Sequence, residues 1–435
     1  MSRPATKTPT YDEPQMRILV HDFAGYSFPV QLSRKLAARG HRVLHLSAQG
    51  LEGPKGDLRA KGNVFGDLVV RGVPLSGQFR KYSPWRRLVT QRQYALALAR
   101  IVAEEAPDVV ISGDTPTDIQ VRLLRFCHRN GIGFTHWVQD VYWRALEFVL
   151  RRRLGPLACA ASFPFQCIDK WTALNSDAVV AISPGFVPLL QAWGVRSESL
   201  TVIENWAPLH ELPIMPRRNA WSESLKLDGE PVFLYAGTLG LKHRPDLIYV
   251  LAKAVMGKAS VVVVSEGLGR QYLANQPPLS NLTLLDFQPY ERLPEMLATA
   301  DVLLATLEED AGAFAVPSKV LTYLCAGRPV LLTAPLHNLA AEVVRRSGGG
   351  VVVEPNDSDG WVATGQRLVE DAGWRGELSL RARQYAESNF DIEKIADRFE
   401  GVLTQAAEVR SHRPSKAPYR SALSALRRSL WLSNK

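Results

Sequence analysis

The stretch RILVHDFAGYSFPVQLSRKLAARGHRVLHLS (residues 17–47) decides the fold. Residues 17–21 form a short apolar run, and Gly25 marks the loop that follows. Apolar positions from Val30 to Ala38 then recur at helical spacing, Gly40 closes that helix, and residues 42–47 read as the next strand. This is a βαβ opening. Further strands are predicted at 67–73, 108–114, 134–140, 178–183 and 200–205. Helical patterns over 84–105, 117–130, 141–154, 163–175 and 184–193 separate them. Strands alternating with helices argue for a parallel sheet covered on both faces.

Between Ala207 and Pro231 lie prolines and charges without a clear period, and 207–230 reads as a linker. The pattern then restarts, with strands at 231–237, 260–265, 282–287, 301–307, 329–334 and 350–355. Two final helices, 374–389 and 392–407, have no strand after them. The expected fold class is α/β, with two doubly wound, Rossmann-like domains facing across a cleft. Ligands of such sheets bind at the carboxyl ends of the strands. The division is a 1–15 extension, a first domain over 16–206, the linker, a second domain over 231–390, a helix over 391–408 returning to the first domain, and a basic tail over 409–435.

Composition fits this reading. The 435 residues are 46% hydrophobic and 22% charged, enough for ordinary cores and incompatible with overall disorder. Four scattered cysteines (Cys127, Cys159, Cys167, Cys325) show no CxxC and no metal-ligand spacing, so reduced thiols and a cytosolic setting are expected. No run of 18 apolar residues and no signal-peptide core occur, which predicts neither a membrane span nor secretion by that route. The net charge of +9 is uneven: residues 16–210 carry +9, residues 211–408 carry −7, and 409–435 carry +7. No nucleic-acid module accompanies the basic regions, so nucleic acid is not expected as a partner. An anionic membrane surface fits better, and a solvated charged face is the plain alternative.

The informative motif is AFAVPSKVLTYLCAGRPVLL (313–332). Pro317 opens a helix where its missing N–H is no loss. The N–H groups of Ser318 and Lys319, the Ser318 hydroxyl and the Lys319 charge then form a ready anion site. A plain first-turn proline and a C-capping Gly327 fit the same spacing. After strand 231–237 comes the turn TLGLK (238–242), where small residues let backbone approach a phosphate and Lys242 can pair with it. SEGLGR (265–270) is a third, weaker candidate, equally readable as a turn.

These residues carry a resemblance. YAGTLGLKHRPDLI, VVVVSEG, LDFQPYERLPEMLATADVLLATL, VPSKVLTYLCAGRPVLL and GGGVVVEPND run in family order from Leu234 to Asp357. Together they resemble the donor domain of retaining family-4 glycosyltransferases of GT-B fold, of the polysaccharide and O-antigen type with a Pro-Ser-Lys donor motif. NFDIEKIADRFEGVL resembles the family's closing helices. The resemblance implies transfer of a sugar from a nucleoside diphosphate sugar, a co-substrate, with retention at the anomeric carbon, no other cofactor and no metal. It implies that Lys242 and Lys319 hold the diphosphate, with Gly237, Thr238, Glu266, Val316, Pro317, Ser318 and Thr322 around the donor and Phe287 and Gln288 near the nucleobase. Two positions where the family carries glutamates are Phe314 and Thr322 here, and its usual arginine is Thr238.

In the first domain Asp140, at a strand's carboxyl end, is the candidate acceptor-orienting group or general base, with Asp114, His136 and Gly25 on the acceptor side. Both aspartates read equally as helix N-caps, and His136 as an ordinary strand histidine. Three segments suit a bilayer surface: Arg80, Lys81, Arg86, Arg87 and Arg92 with Tyr82 and Trp85; Arg144 and Arg151, Arg152 and Arg153 beside an apolar run; and the tail with Leu423, Leu426, Leu430 and Trp431 beside Arg427 and Arg428. The expectation is a peripheral enzyme at the inner face of the cell membrane, acting on a lipid-linked saccharide in surface polysaccharide or glycoconjugate biosynthesis. A GT-B nucleotide-sugar epimerase and a catalytically weak pseudo-transferase acting as a binding protein are the alternatives.

Overall fold

The computed structural model describes residues 16–50, 67–75, 84–227, 229–240, 243–309 and 318–412. Two compact units emerge. One joins described residues up to 203 with those from 392 onward; the other spans 204–391.

The first unit holds β1 (Arg17–Asp22), β2 (Arg42–Gln49), β3 (Leu68–Pro74), β4 (Val109–Gly113), β5 (Gly133–Val138), β6 (Ala178–Ala181) and β7 (Leu200–Val202). They form one parallel sheet in the order β3-β2-β1-β4-β5-β6-β7. The register sets Ile18 against Val43 on one side and Val109 on the other. β1 to β4 is therefore the point where strand order reverses, and the crevice of a doubly wound sheet opens there. Leu19, Leu46, Tyr94, Leu98, Val110 and Phe134 fill one face of the core. The edge strand β3 is largely exposed, as an edge with one covered side should be.

The Ile392–Ser411 helix belongs to this first unit and is held by packing and charge. Phe399 meets the Trp137 ring edge-on at 4.9 Å. Arg39 donates to Glu400 at 2.7 Å and pairs with Glu393 and Asp397. Near the helix's end Arg410 donates to the fully buried Asp177 at 2.6 Å. Burial alone would raise the Asp177 carboxyl, but hydrogen bonds from His128 and Arg410 hold it below its ordinary value. Gly133 opens β5 without a side chain because a Cβ there would lie 2.8 Å from the Ala406 carbonyl oxygen.

The second unit holds β8 (Val232–Ala236), β9 (Ser260–Val264), β10 (Leu282–Leu285), β11 (Val302–Thr306), β12 (Val330–Thr333) and β13 (Gly350–Val353). All are parallel, in the order β10-β9-β8-β11-β12-β13. Here β8 to β11 is the reversal point. These strands run as continuous β-branched and leucine stretches because both faces are covered. Phe233, Leu251, Val263, Leu304 and Trp361 form the core of one face.

The 207–230 stretch, read as a linker, is held by specific side-chain contacts. Trp206 and Trp221 are buried, and Asn219 caps the short Ala220–Ser224 helix by accepting from Trp221 N at 2.9 Å. The Asn219 side chain also donates to the Glu295 carbonyl, and Arg217 reaches Asp301 at 2.8 Å. The segment is pinned by caps and ion pairs to residues some 80 positions away, which leave no periodic trace in the sequence.

Candidate functional site

In the first unit the carboxyl ends of β1, β4 and β5 gather acidic groups. Asp22 ends β1, and the backbone N–H groups of Ala24 and Tyr26 donate to it across the Gly25 turn, where φ is +78°. Asp114 follows β4 with φ of +52°, and its carbonyl accepts from the Tyr142 hydroxyl at 3.1 Å. Asp140 lies just past β5 and accepts from Val141 N at 2.7 Å. A cavity is lined by Asp114, His136, Asp140, Tyr142, Asp169 and Trp193 among others. The structure thus brings together three residues singled out from sequence, Asp114, His136 and Asp140, with Gly25 in the Asp22 loop. It adds Asp169, which accepts from the Thr117 hydroxyl at 2.7 Å and from Trp143 N at 3.2 Å.

Crowding these carboxyls away from water raises their pKa values. Burial, then the Asp140 charge, pushes Asp114 up to about 6. Burial likewise pushes Asp169 to about 6, against its two hydrogen bonds. Asp22 is held well above the carboxylate range by burial and by Asp114. The Asp140 residue is exposed, yet its carboxyl lies against the cavity wall, and that partial desolvation raises it while the Val141 N–H opposes the shift. Burial lowers His136 to about 4, so its imidazole is neutral at pH 7, and Nδ1 lies buried without a hydrogen-bond partner. Such a set can accept hydrogen bonds from hydroxyl donors and hold a proton near neutrality.

Beneath the cavity runs a polar network that sequence reading missed. His21 contacts the Ser112 hydroxyl at 2.9 Å through Nδ1 and the Tyr94 hydroxyl at 3.0 Å through Nε2. Ser112 also bonds Gln120 at 2.7 Å. Burial lowers His21 to about 3, keeping this strut neutral. Only the pairing of β1 with β4 brings residues 21 and 112 side by side.

In the second unit the ladder between β8 and β11 pairs Phe233 and Leu234 only. Beyond that the strands part, and the Tyr323 hydroxyl both accepts from Ala236 N and donates to Ala236 O, each at 3.0 Å. Lys319, from the Ser318–Cys325 helix after β11, occupies the opening. Its Nζ donates to the Tyr235 hydroxyl at 2.5 Å and lies 3.9 Å from that ring's centroid; Tyr235 in turn donates to Thr238 O at 3.0 Å. Burial lowers the Lys319 ammonium to about 7. Gly237 has φ of +125°, and a Cβ there would lie 3.5 Å from Lys319 Nζ. Lys319, Gly237 and Thr238 thus form one group, with Ser318 exposed at the helix start.

The turn after β8 is fixed by backbone: Leu239 N donates to the Glu266 carbonyl and Gly269 N to the Leu239 carbonyl. This carries Glu266 alongside. Gln288 folds back to the Asp286 carbonyl at 3.0 Å, next to Phe287. The Thr322 hydroxyl is engaged one turn back by Ser318 O at 3.2 Å. Lys242, Phe314, Val316 and Pro317 lie outside the described residues.

Two family models together match most of the chain. Residues 29–206 match the family model described as a glycosyl transferase 4-like domain, and residues 230–371 match glycosyl transferases group 1. The chain is built of glycosyltransferase domains. It is 25% identical over 233 residues to WcaI of Escherichia coli (strain K12), named for glycosyl transfer in colanic acid biosynthesis; the match covers 52% of this chain and 56% of WcaI. It is also 25% identical over 259 residues to WbjE of Pseudomonas aeruginosa, named as a glycosyltransferase, covering 58% and 63%. The matched stretches span less than two thirds of both relatives. In fold, 90% of the chain is similar to sucrose-phosphate synthase from Thermosynechococcus elongatus (TM-score 0.69, 16% identity, 99% of that chain). The same share is similar to Anabaena HepE in complex with UDP-glucose (0.66, 14%, 100% of that chain). The fold is GT-B, with two parallel-sheet α/β domains.

Proposed function

We propose that the protein transfers a sugar from a nucleoside diphosphate sugar to a lipid-linked saccharide, with retention at the anomeric carbon, in surface polysaccharide or glycoconjugate biosynthesis at the inner face of the cell membrane. The observation that carries this reading is Lys319 seated on Tyr235 at the parted carboxyl ends of β8 and β11. A half-neutral lysine beside a glycine with no side chain suits a diphosphate, which would draw it into the charged form. The N–H groups at the start of the Ser318–Cys325 helix add fixed dipoles of the same sense. Lys242 serves as the second cation, with Phe287 and Gln288 at the base.

In the reaction the bond from the sugar's anomeric carbon to the diphosphate oxygen breaks, and its electron pair stays on that oxygen. Lys319 and the helix-start N–H groups stabilise this developing charge without having to reorganise. The acceptor hydroxyl bonds to the same face of the anomeric carbon, and its proton passes to the departing oxygen. Asp140 accepts the hydrogen bond that orients the hydroxyl, while Asp114 and Asp169 hold neighbouring sugar hydroxyls. No metal takes part, since lysine and dipoles carry the leaving-group charge.

The relatives' names support this reading: one is named for colanic acid biosynthesis, and one similar structure is a complex with UDP-glucose. The test is a thermal-shift screen of nucleoside diphosphates and their sugars, on the wild type and on Lys319→Met. A ligand that binds only the folded state adds about 2.7 kcal/mol at 100 times its dissociation constant. A shift with one nucleotide that shrinks in the variant supports the donor site. No shift with any nucleotide transfers the case to a binding protein.

A further inference from the structure

The first unit carries a helical pair whose far end is left uncovered among the described residues. Helices Tyr142–Leu154 and Ala158–Asn175 pack on each other and are joined by the turn Gly155–Leu157. At the joined end Leu157 is 69% exposed, Phe163 60%, Leu154 44% and Phe165 41%. In the second helix only Ala158, Ser162, Thr172 and Ala173 are buried. The sequence from 148 to 168 contains three arginines and no acidic residue. Large apolar side chains on several sides of a helix end, with cations beside them, are costly in water and suited to the boundary of a bilayer.

We propose that the end of this helical pair, residues 154–167, inserts into the headgroup boundary of an anionic lipid bilayer. The charge beside the tip is of one sign and favours lipid over another protein. Residues 151–153 are all arginine, and Glu147, the one acid in the sequence from 141 to 168, is already paired with Arg151 at 2.7 Å. The device is also continuous with the candidate acceptor site. Tyr142, Asp169 and Thr172 line the cavity from these same two helices. A tip anchored in lipid would keep that cavity near the headgroups, where a lipid-borne sugar lies. The inference deepens the proposed function and rests on its membrane-borne acceptor.

The experiment uses the full chain with vesicles of phosphatidylcholine alone or mixed with phosphatidylglycerol. Flotation is compared for the wild type and for Leu157→Asp/Phe163→Asp. These positions are exposed, so nucleotide affinity and melting temperature should stay unchanged and report intact folding. The expected result is flotation with anionic vesicles only, with partitioning at least tenfold weaker in the variant. Because the basic 409–435 tail can hold the chain on anionic vesicles by charge, Phe163→Trp supplies the deciding readout. Its indole should shift to the blue and be quenched by brominated lipid. Flotation unchanged by the aspartates, or an indole that stays unquenched on bound protein, overturns the proposal. So does light scattering that shows a dimer dissolved by the same substitutions, which would assign the patch to a second copy. Turnover of a lipid-linked acceptor in detergent separates this from the proposed function, since the tip variant should keep it there. Absence of turnover in the wild type would refute the function and leave the vesicle result to decide docking.

Discussion

Lys319 offers a prediction that can be followed from geometry to a number. Its ammonium donates to Tyr235 and is otherwise desolvated, which lowers its pKa to about 7. Lys319→Met keeps the length and removes the charge. A hydrogen bond to a charged group contributes about 1.5–3 kcal/mol, so the nucleoside diphosphate should bind roughly ten- to a hundredfold more weakly. The same pKa makes binding take up a proton. At pH 8 a group of pKa about 7 is roughly nine-tenths neutral, so the wild type should take up close to one proton per nucleotide through this lysine, and only about a tenth of one at pH 6. Calorimetry in two buffers of different ionisation enthalpy measures that uptake, and the difference from Lys319→Met isolates it from the nucleotide's own protons. In the unliganded protein the sign is also fixed. Between about 7 and 10.5 the folded chain binds fewer protons here than the unfolded one, so this group's contribution to stability rises with pH across that window. Equal affinity in the two proteins, with no differential uptake at pH 8, would refute the assignment of Lys319 to the diphosphate.

Four further outcomes are expected. Asp140→Asn removes the charged acceptor that orients the hydroxyl, a hydrogen bond of about 1.5–3 kcal/mol, and should lower kcat by roughly ten- to a hundredfold while nucleotide affinity stays within a factor of two or so, read by steady-state kinetics beside calorimetry. Since Asp114 and Asp169 titrate at about 6, the rate should rise through pH 5–7 as these carboxyls ionise, and a flat profile would count against their role. Gly133→Ala should cost about 1–3 kcal/mol, because its Cβ would meet Ala406 backbone that cannot swing aside; urea unfolding followed by tryptophan fluorescence checks this. Dialysis against a chelator should leave the turnover rate unchanged, and a loss restored by magnesium or manganese would overturn the metal-free reading.

The strands were legible because both sheets are parallel and covered, so each core strand is an uninterrupted apolar run such as Val232–Ala236 or Ser260–Val264. The Pro84–Glu105 helix was bounded by its proline and by the end of its period. At the sites legibility was partial and followed a simple rule. Residues at strand ends, Asp114 and Asp140, announce themselves because a polar residue abruptly stops an apolar run. Lys319 does so through its proline and helix start. Tyr235 does not, since a tyrosine within a buried strand looks like core until the parting of β8 and β11 exposes its hydroxyl to Lys319. Asp169 is hidden for a related reason: a lone acid in an apolar helix gains meaning only when that helix faces Thr117 and Trp143. His21 and Ser112, ninety-one residues apart, meet only through strand order. Tertiary pairing is what neither periodicity nor composition encodes locally.

The central claim, sugar transfer from an activated donor, is tested most directly by incubating the purified chain with the nucleoside diphosphate sugar picked out by thermal shift and a lipid-linked saccharide fraction, then weighing the products. Sugar transfer would yield an acceptor heavier by one sugar residue, an equal amount of nucleoside diphosphate released, and the donor's anomeric configuration kept in the new bond. A product with the mass of the donor would mark an epimerase. An unaltered donor and acceptor, with nucleotide bound but never released, would contradict the account.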